Sequence, residues 1–114
     1  MPELSIILPV YNVQNWIGYC LDSIAEQSFA DWEAILVDDG SKDLSGVICD
    51  SYSRRDPRFR VIHQQNAGVS AARNTGIDAA NGALISFIDP DDFISADYFR
   101  LLVDGLHNAG ADVA

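Results

Sequence analysis

Three carboxylates stand within four residues at Asp89-Pro90-Asp91-Asp92, directly after the apolar run Ala83 to Ile88. Mutual repulsion and partial desolvation at the end of a buried strand would raise their pKa values unless a cation were present. A hard divalent ion, Mg2+ or Mn2+, relieves that repulsion. Bound by a few protein carboxylates, waters and phosphate oxygens, it is the usual arrangement around a nucleotide diphosphate. The same residues also read as an acidic turn in which Asp92 or Ser95 caps the following helix.

A second acidic pair, Asp38-Asp39, precedes Gly40-Ser41. An ionised Asp offers acceptors only, so it suits a base imide or ribose hydroxyls. It equally suits an Asx-type turn with Ser41 or Asp43 capping the next helix. The third element is the loop Asn66-Ala67-Gly68 running into Val69-Ser70-Ala71-Ala72-Arg73-Asn74-Thr75-Gly76. Gly68 permits close backbone approach to a ligand, and Arg73 is a natural counter-charge for a phosphate or for the carboxylates. Alternatively, Ala71 and Ala72 simply pack tightly and Arg73 pairs with an acidic side chain. Pro9-Val10-Tyr11-Asn12 forms a rigid turn whose Tyr11 ring can stack on a base or edge a core. His63 and His107 lack metal-like spacing and read as structural or exposed.

These clusters need elements to position them. Leu4 to Val10, Trp32 to Val37, Arg58 to His63 and Ala83 to Ile88 read as strands, the second ending in a polar turn at Asp38. Gln14 to Gln27, a stretch carrying Val47, Ile48 and Tyr52, Ser70 to Ala80 and Ser95 to Ala109 read as helices. Gly82 closes the third, Ser95 caps the fourth and Gly110 stops it. Strands alternating with helices predict an α/β domain, a mostly parallel sheet with helices on both faces. Ligands of such sheets bind beyond the strand carboxyl ends, where the polar clusters fall. Ala111-Asp112-Val113-Ala114 reads as the opening of a fifth strand, which makes the chain a piece of a longer protein.

A length of 114 residues with 48% hydrophobic and 21% charged side chains predicts one domain with a real core and excludes a disordered tail. Seven Lys and Arg against seventeen Asp and Glu give a net charge of −10, which disfavours nucleic acid as a partner. No apolar run is long enough for a transmembrane segment. Cys20 and Cys49 lie in helical patterns and read as buried thiols of a reducing compartment. Missing glycine-rich fingerprints disfavour a dinucleotide oxidoreductase and a nucleoside triphosphatase.

Taken together, Ser5 to Asn12, Ile35 to Asp43, Asn66 to Gly76 and Phe87 to Asp92 resemble glycosyltransferase family 2, inverting enzymes of the Rossmann-like GT-A fold. The resemblance implies a nucleotide-diphospho-sugar-binding domain over 1–114 that ends before the acceptor-binding half. It implies transfer from a nucleotide sugar, a UDP-sugar by expectation, to a saccharide or lipid-linked acceptor in polysaccharide biosynthesis. Pro9, Tyr11 and Asp39 would line the base pocket, and Arg73, Asn66 and Asn74 would help hold the donor. Asp89, Asp91 and Asp92 match the Asp-x-Asp region that binds ribose and a divalent metal, Mn2+ or Mg2+. The general base is expected beyond residue 114, because Asp97, Asp104 and Asp112 match no family position; the chain alone is therefore expected to be inactive. A cytoplasmic location, at the inner membrane face through parts outside the chain, is the corresponding expectation. A catalytically silent nucleotide-binding or interaction domain of the same fold is the alternative.

Overall fold

The computed structural model describes residues 2–110. Its elements alternate as β1 (Leu4–Val10), α1 (Ile17–Ala25), β2 (Trp32–Asp39), α2 (Ser45–Arg55), β3 (Phe59–Gln64), α3 (Val69–Ala79), β4 (Leu84–Phe87) and α4 (Tyr98–Ala109). The strands pair in the order β3-β2-β1-β4, every pair parallel. The chain thus starts mid-sheet, runs outward to β3 and returns to β4 on the far side of β1. The strand order reverses between β1 and β4, where a crevice opens at the carboxyl ends.

β1 and β2 are buried at every position, as expected of central parallel strands covered on both faces. Alternate side chains enter two unequal cores. Leu4, Ile6, Leu8 and Val10 join Trp32, Ala34 and Leu36 beneath Ile17, Leu21 and Ile24 of α1, Cys49 of α2 and Phe99, Val103 and Leu106 of α4. On the opposite face Ile35 and Val37 meet Ala72 of α3. That helix lies close because Gly76 has no side chain: a Cβ there would stand 2.4 Å from Ile7 Cγ2. In the larger core, Trp32 meets Phe59 edge-on at 5.2 Å and Phe99 at 6.0 Å, the geometry aromatic quadrupoles favour. Cys20 and Cys49 are buried and unpaired, as expected.

Several boundaries differ from the sequence reading, each for a tertiary reason. α1 begins at Ile17 and not Gln14, because Val13 N–H donates to Ser45 Oγ and Gln14 N–H to Asp43 Oδ2 outside any helix. β2 continues through Asp38 and Asp39, which pair with His63 and Gln64; the acidic pair is strand and not turn. β3 correspondingly runs from Phe59 to Gln64. α3 ends before Gly82, which serves a close approach instead, a Cβ there lying 2.6 Å from Ser5 Oγ. α4 starts at Tyr98 and neither Ser95 nor Asp92 caps it; Gln27 from the end of α1 supplies the acceptor for Phe99 N–H. Gly110 does stop the helix, at φ 67°. The expected strand opening at 111–114 lies outside the described residues.

Candidate functional site

The carboxyl ends of β1 and β2 open into a cavity of about 350 Å³ lined by Pro9, Val10, Tyr11, Val13, Asp39, Asn66, Gly68, Val69, Ala72 and Pro90. Its volume lies within the range of small-ligand pockets, and most of its lining is apolar. Tyr11 and Val69 stay substantially exposed beside it, which leaves flat apolar surface for a planar group.

Asp39, only 3% exposed, sits at its floor. One carboxylate oxygen accepts Gln64 Nε2 at 3.0 Å and Ala67 N–H at 2.9 Å. The other accepts Asn66 Nδ2 at 3.1 Å and Gly68 N–H at 2.9 Å. Burial works to raise this carboxyl, but the bonds from Gln64, Ala67 and Gly68 prevail and hold it below the ordinary carboxylate range. All four or so acceptor positions of the carboxylate are therefore engaged in shaping the β3–α3 loop. Gly40 is required beside it: its φ is +71°, and a Cβ would stand 2.8 Å from Asn66 N.

A second set of hydrogen bonds locks the loops after β1 and β2 together. Asn12, at φ 51°, donates its N–H to Ser41 Oγ at 3.1 Å and accepts Lys42 N–H on Oδ1 at 2.8 Å. Gln14 repeats the exchange, its N–H going to Asp43 Oδ2 and its Oε1 accepting Leu44 N–H. Tyr11 and Asp39, at the two strand ends, are thereby placed by one rigid unit. Asp43 also accepts Ser45 N–H at 2.9 Å in a local turn just before α2, but the N-cap position is Leu44 and neither Ser41 nor Asp43 takes the capping role expected of them.

Asp89, Asp91 and Asp92 are all exposed, with ligand oxygens within 4.8 Å of one another. Three converging hard oxygen donors fit Mg2+ or Mn2+. The turn is closed by Asp92 N–H to Asp89 O at 3.0 Å, and the buried Cys20 thiol donates to the Asp89 carbonyl at 3.7 Å. Burial, and then the charges of Asp92, Asp91 and Asp89, push this thiol up to about 12, so it stays neutral beneath the cluster. Arg73 links the cluster to α3, with Nη2 4.0 Å from Asp89 Oδ1 and its buried Nε unpartnered.

Pro9, Tyr11, Asp39 and Asn66 thus share one cavity, and Asp89, Asp91 and Asp92 converge beside it with Arg73. Asn74 is exposed on α3 outside the cavity lining. His63, read from sequence as structural or exposed, is both, but its partners were not foreseen: its Nδ1 lies 2.8 Å from Asp38 Oδ2 and its Nε2 lies 2.9 Å from Asp50 Oδ1. The alternation of β3 next to two acidic strand-end residues was the signal available for it. The second histidine, His107, pairs with Glu3 at the opposite end of the molecule.

The sequence matches the model of Glycosyl transferase family 2 over residues 5–114. The chain belongs to this family. An uncharacterized glycosyltransferase of Bacillus subtilis, EpsJ, is 48% identical over 99% of the chain, and Streptococcus pneumoniae glycosyltransferase GlyA is 45% identical over 98%. The chain spans 33% of the first relative and 16% of the second. Among solved structures, S. aureus TarS 1-349 in complex with UDP-GlcNAc is 28% identical with a TM-score of 0.81, covering 93% of this chain and 31% of that one. The Pyrobaculum calidifontis mannosyltransferase PcManGT in complex with GDP-Man and Mn2+ is 25% identical with a TM-score of 0.81, covering 92% and 32%. The fold of this family 2 chain is accordingly that of the GT-A glycosyltransferases. No helix among its described residues is long and apolar enough to cross a membrane.

Proposed function

We propose that this chain is the nucleotide-diphospho-sugar-binding part of an enzyme that transfers a sugar, with inversion, to a hydroxyl of a saccharide or lipid-linked acceptor. The observation that carries the reading is the adjacency of an apolar cavity at the β1 and β2 ends to a triad of carboxylates with Arg73 between α3 and the triad. In this reading the base rests in the cavity against Pro9 and Tyr11. Asp39 and Asn66 form its floor, Asp91 meets the ribose, and the partly exposed Arg73 guanidinium beside Asp89 is the donor offered to the diphosphate. Asn74, exposed on the same helix, contributes at most from the rim. Asp89, Asp91 and Asp92 would hold the divalent ion, which when bound supplies positive charge against the leaving diphosphate.

The base is uridine in this reading, supported by the likeness to TarS in complex with UDP-GlcNAc; the likeness to PcManGT in complex with GDP-Man makes guanosine its competitor. Among the described residues, the carboxylates that follow the triad stand at or on α4, where Asp97 accepts Ser28 Oγ at 2.9 Å and Asp104 is exposed, and neither lines the cavity. The proton of the acceptor hydroxyl is therefore taken, in this reading, by a group of the parent enzyme outside these residues, and the chain alone binds donor without transferring. Calorimetric titration with UDP in the presence of Mn2+, then with chelator, and in parallel with GDP, tests this. Metal-dependent, uridine-selective binding is expected. Failure of both nucleotides to bind the folded chain would overturn the reading.

A further inference from the structure

We propose that His63, bridged between Asp38 and Asp50, is a positioning residue for the nucleotide cavity and ties the affinity of that cavity to pH; the inference rests on the donor-binding reading above. His63 touches no part of the cavity. Its leverage comes from what it holds.

The two ring nitrogens face two carboxylates, at 2.8 Å and 2.9 Å. Only the imidazolium donates to both, since a neutral ring donates from one nitrogen and turns a lone pair toward the other carboxylate. Asp38 is 7% exposed, and its second oxygen accepts Ser41 N–H at 3.0 Å. Ser41 Oγ in turn accepts the N–H of Asn12, the neighbour of Tyr11. A continuous line of hydrogen bonds thus runs from α2 through the ring to the cavity wall. The adjacent rung is coupled to it as well: Asp38 pairs with His63 and Asp39 with Gln64, and Gln64 donates to Asp39.

The seat of the ring is tight. A Cβ on Gly46 would stand 2.5 Å from Asp38 Oδ2 and 3.3 Å from His63 Cε1, so α2 closes over the pair without a side chain. Asp38 from β2 and Asp50 from α2 are the charged groups acting on the ring. The next residue on α2, Cys49, is a neutral thiol pushed up to about 12, first by burial. The hydrogen bonds to Asp38 and then Asp50 raise His63 above its ordinary 6.5. The doubly bonded clamp is therefore complete below 6.5 and is lost as pH rises through the raised value. On deprotonation the ring keeps Asp38, whose side chain is 9% exposed, and releases Asp50, at 42%, because orphaning the buried partner costs more. α2 then loosens from β3, and the line to Asn12 loses its outer anchor.

The test is the affinity of the chain for UDP with Mn2+ between about pH 6.5 and 8.5, alongside an NMR titration of the His63 ring. Affinity is expected to fall about fivefold across the ring's own titration, the effect of one lost charge-assisted bond near the surface. Asp50→Asn should move both midpoints down together, and His63→Gln should flatten the profile relative to the parent chain. An affinity midpoint that ignores Asp50→Asn, or a parent-like slope in His63→Gln, would overturn the inference. If no variant binds UDP at any pH, it is the donor-binding reading that fails. The clamp is then judged by hydrogen exchange of the Ala67 and Gly68 amides: protection that declines with the ring's titration supports it, and protection independent of that titration overturns it.

Discussion

The Asp39 carboxylate accepts the backbone N–H of Gly68 at 2.9 Å, joining the last residue of β2 to the residue that caps α3. Gly68 stands at φ +100°, a conformation that L side chains rarely adopt, and its N–H points back at the strand end. A negative charge at this place also meets the positive end of the α3 dipole. The two walls of the cavity, one from the sheet and one from α3, are therefore fixed to each other by one buried side chain.

Asp39→Asn tests that role. The amide keeps the size of the carboxylate but turns a donor toward N–H groups it cannot accept from, so we expect a loss of about 1–3 kcal/mol in stability. Urea denaturation at neutral pH measures it. Because Asp39 is held below its ordinary 3.8, its contribution is complete above that value and is lost as pH falls through the depressed one. The variant should consequently show a shallower loss of stability on acidification. Equal stability at neutral pH would mean that the loop is held by something other than this carboxylate.

Asp92→Ala addresses the exposed triad. Removing one of three converging carboxylates relieves repulsion in the metal-free protein, so its melting temperature should hold or rise slightly. Metal-dependent nucleotide binding should be lost in the same variant, and chelator should abolish binding to the unaltered chain. Calorimetry with and without Mn2+ checks both; binding of unchanged affinity in the variant would remove Asp92 from the ligand set.

Gly76→Ala probes the thin side of the sheet. The added Cβ meets the branched Ile7 side chain of a central strand at 2.4 Å, and neither partner has room to yield. We expect destabilisation of about 1–3 kcal/mol from overpacking, with α3 displaced from the sheet. Thermal melting gives the size, and a penalty smaller for Gly76→Ala in an Ile7→Ala background, which lacks the clashing Cγ2, would assign the cause to that contact.

The alternation of branched apolar runs with helical periodicity made the parallel sheet legible, because β1 and β2 are buried on both faces and their composition has no other use. The carboxylate triad was legible for the complementary reason: three charges after a buried strand have few structural uses. What sequence could not reveal was which polar groups answer one another across the rim. Asp38 and Asp39 look alike in sequence. Adjacent strand residues point to opposite faces, so one meets His63 beneath α2 and the other meets Gln64, Asn66 and the loop amides before α3. The starts of α1 and α4 escaped for a similar reason, since their partners lie 29 residues away at Asp43 and 72 residues away at Gln27.

Gln27→Ala examines that last relationship. Gln27 is 7% exposed and spans three groups, donating to Ser23 O at 3.1 Å and Ser95 O at 2.5 Å and accepting Phe99 N–H at 2.8 Å. It caps α4 from the loop just after α1 and holds the Ser95 carbonyl at the exit of the acidic turn. Truncation leaves a buried N–H and a buried carbonyl without partners, which should destabilise the chain by about 1–3 kcal/mol. The loss should be local in hydrogen exchange: amides in the first turn of α4 should exchange faster while those of β1 and β2 change little. Gln27→Glu separates the two functions, because it retains the acceptor for Phe99 and removes the donor to Ser95. Exchange in α4 near the parental rate, with overall stability still reduced, is the expected result for Glu. Parental stability in Gln27→Ala would show that Phe99 N–H finds another acceptor.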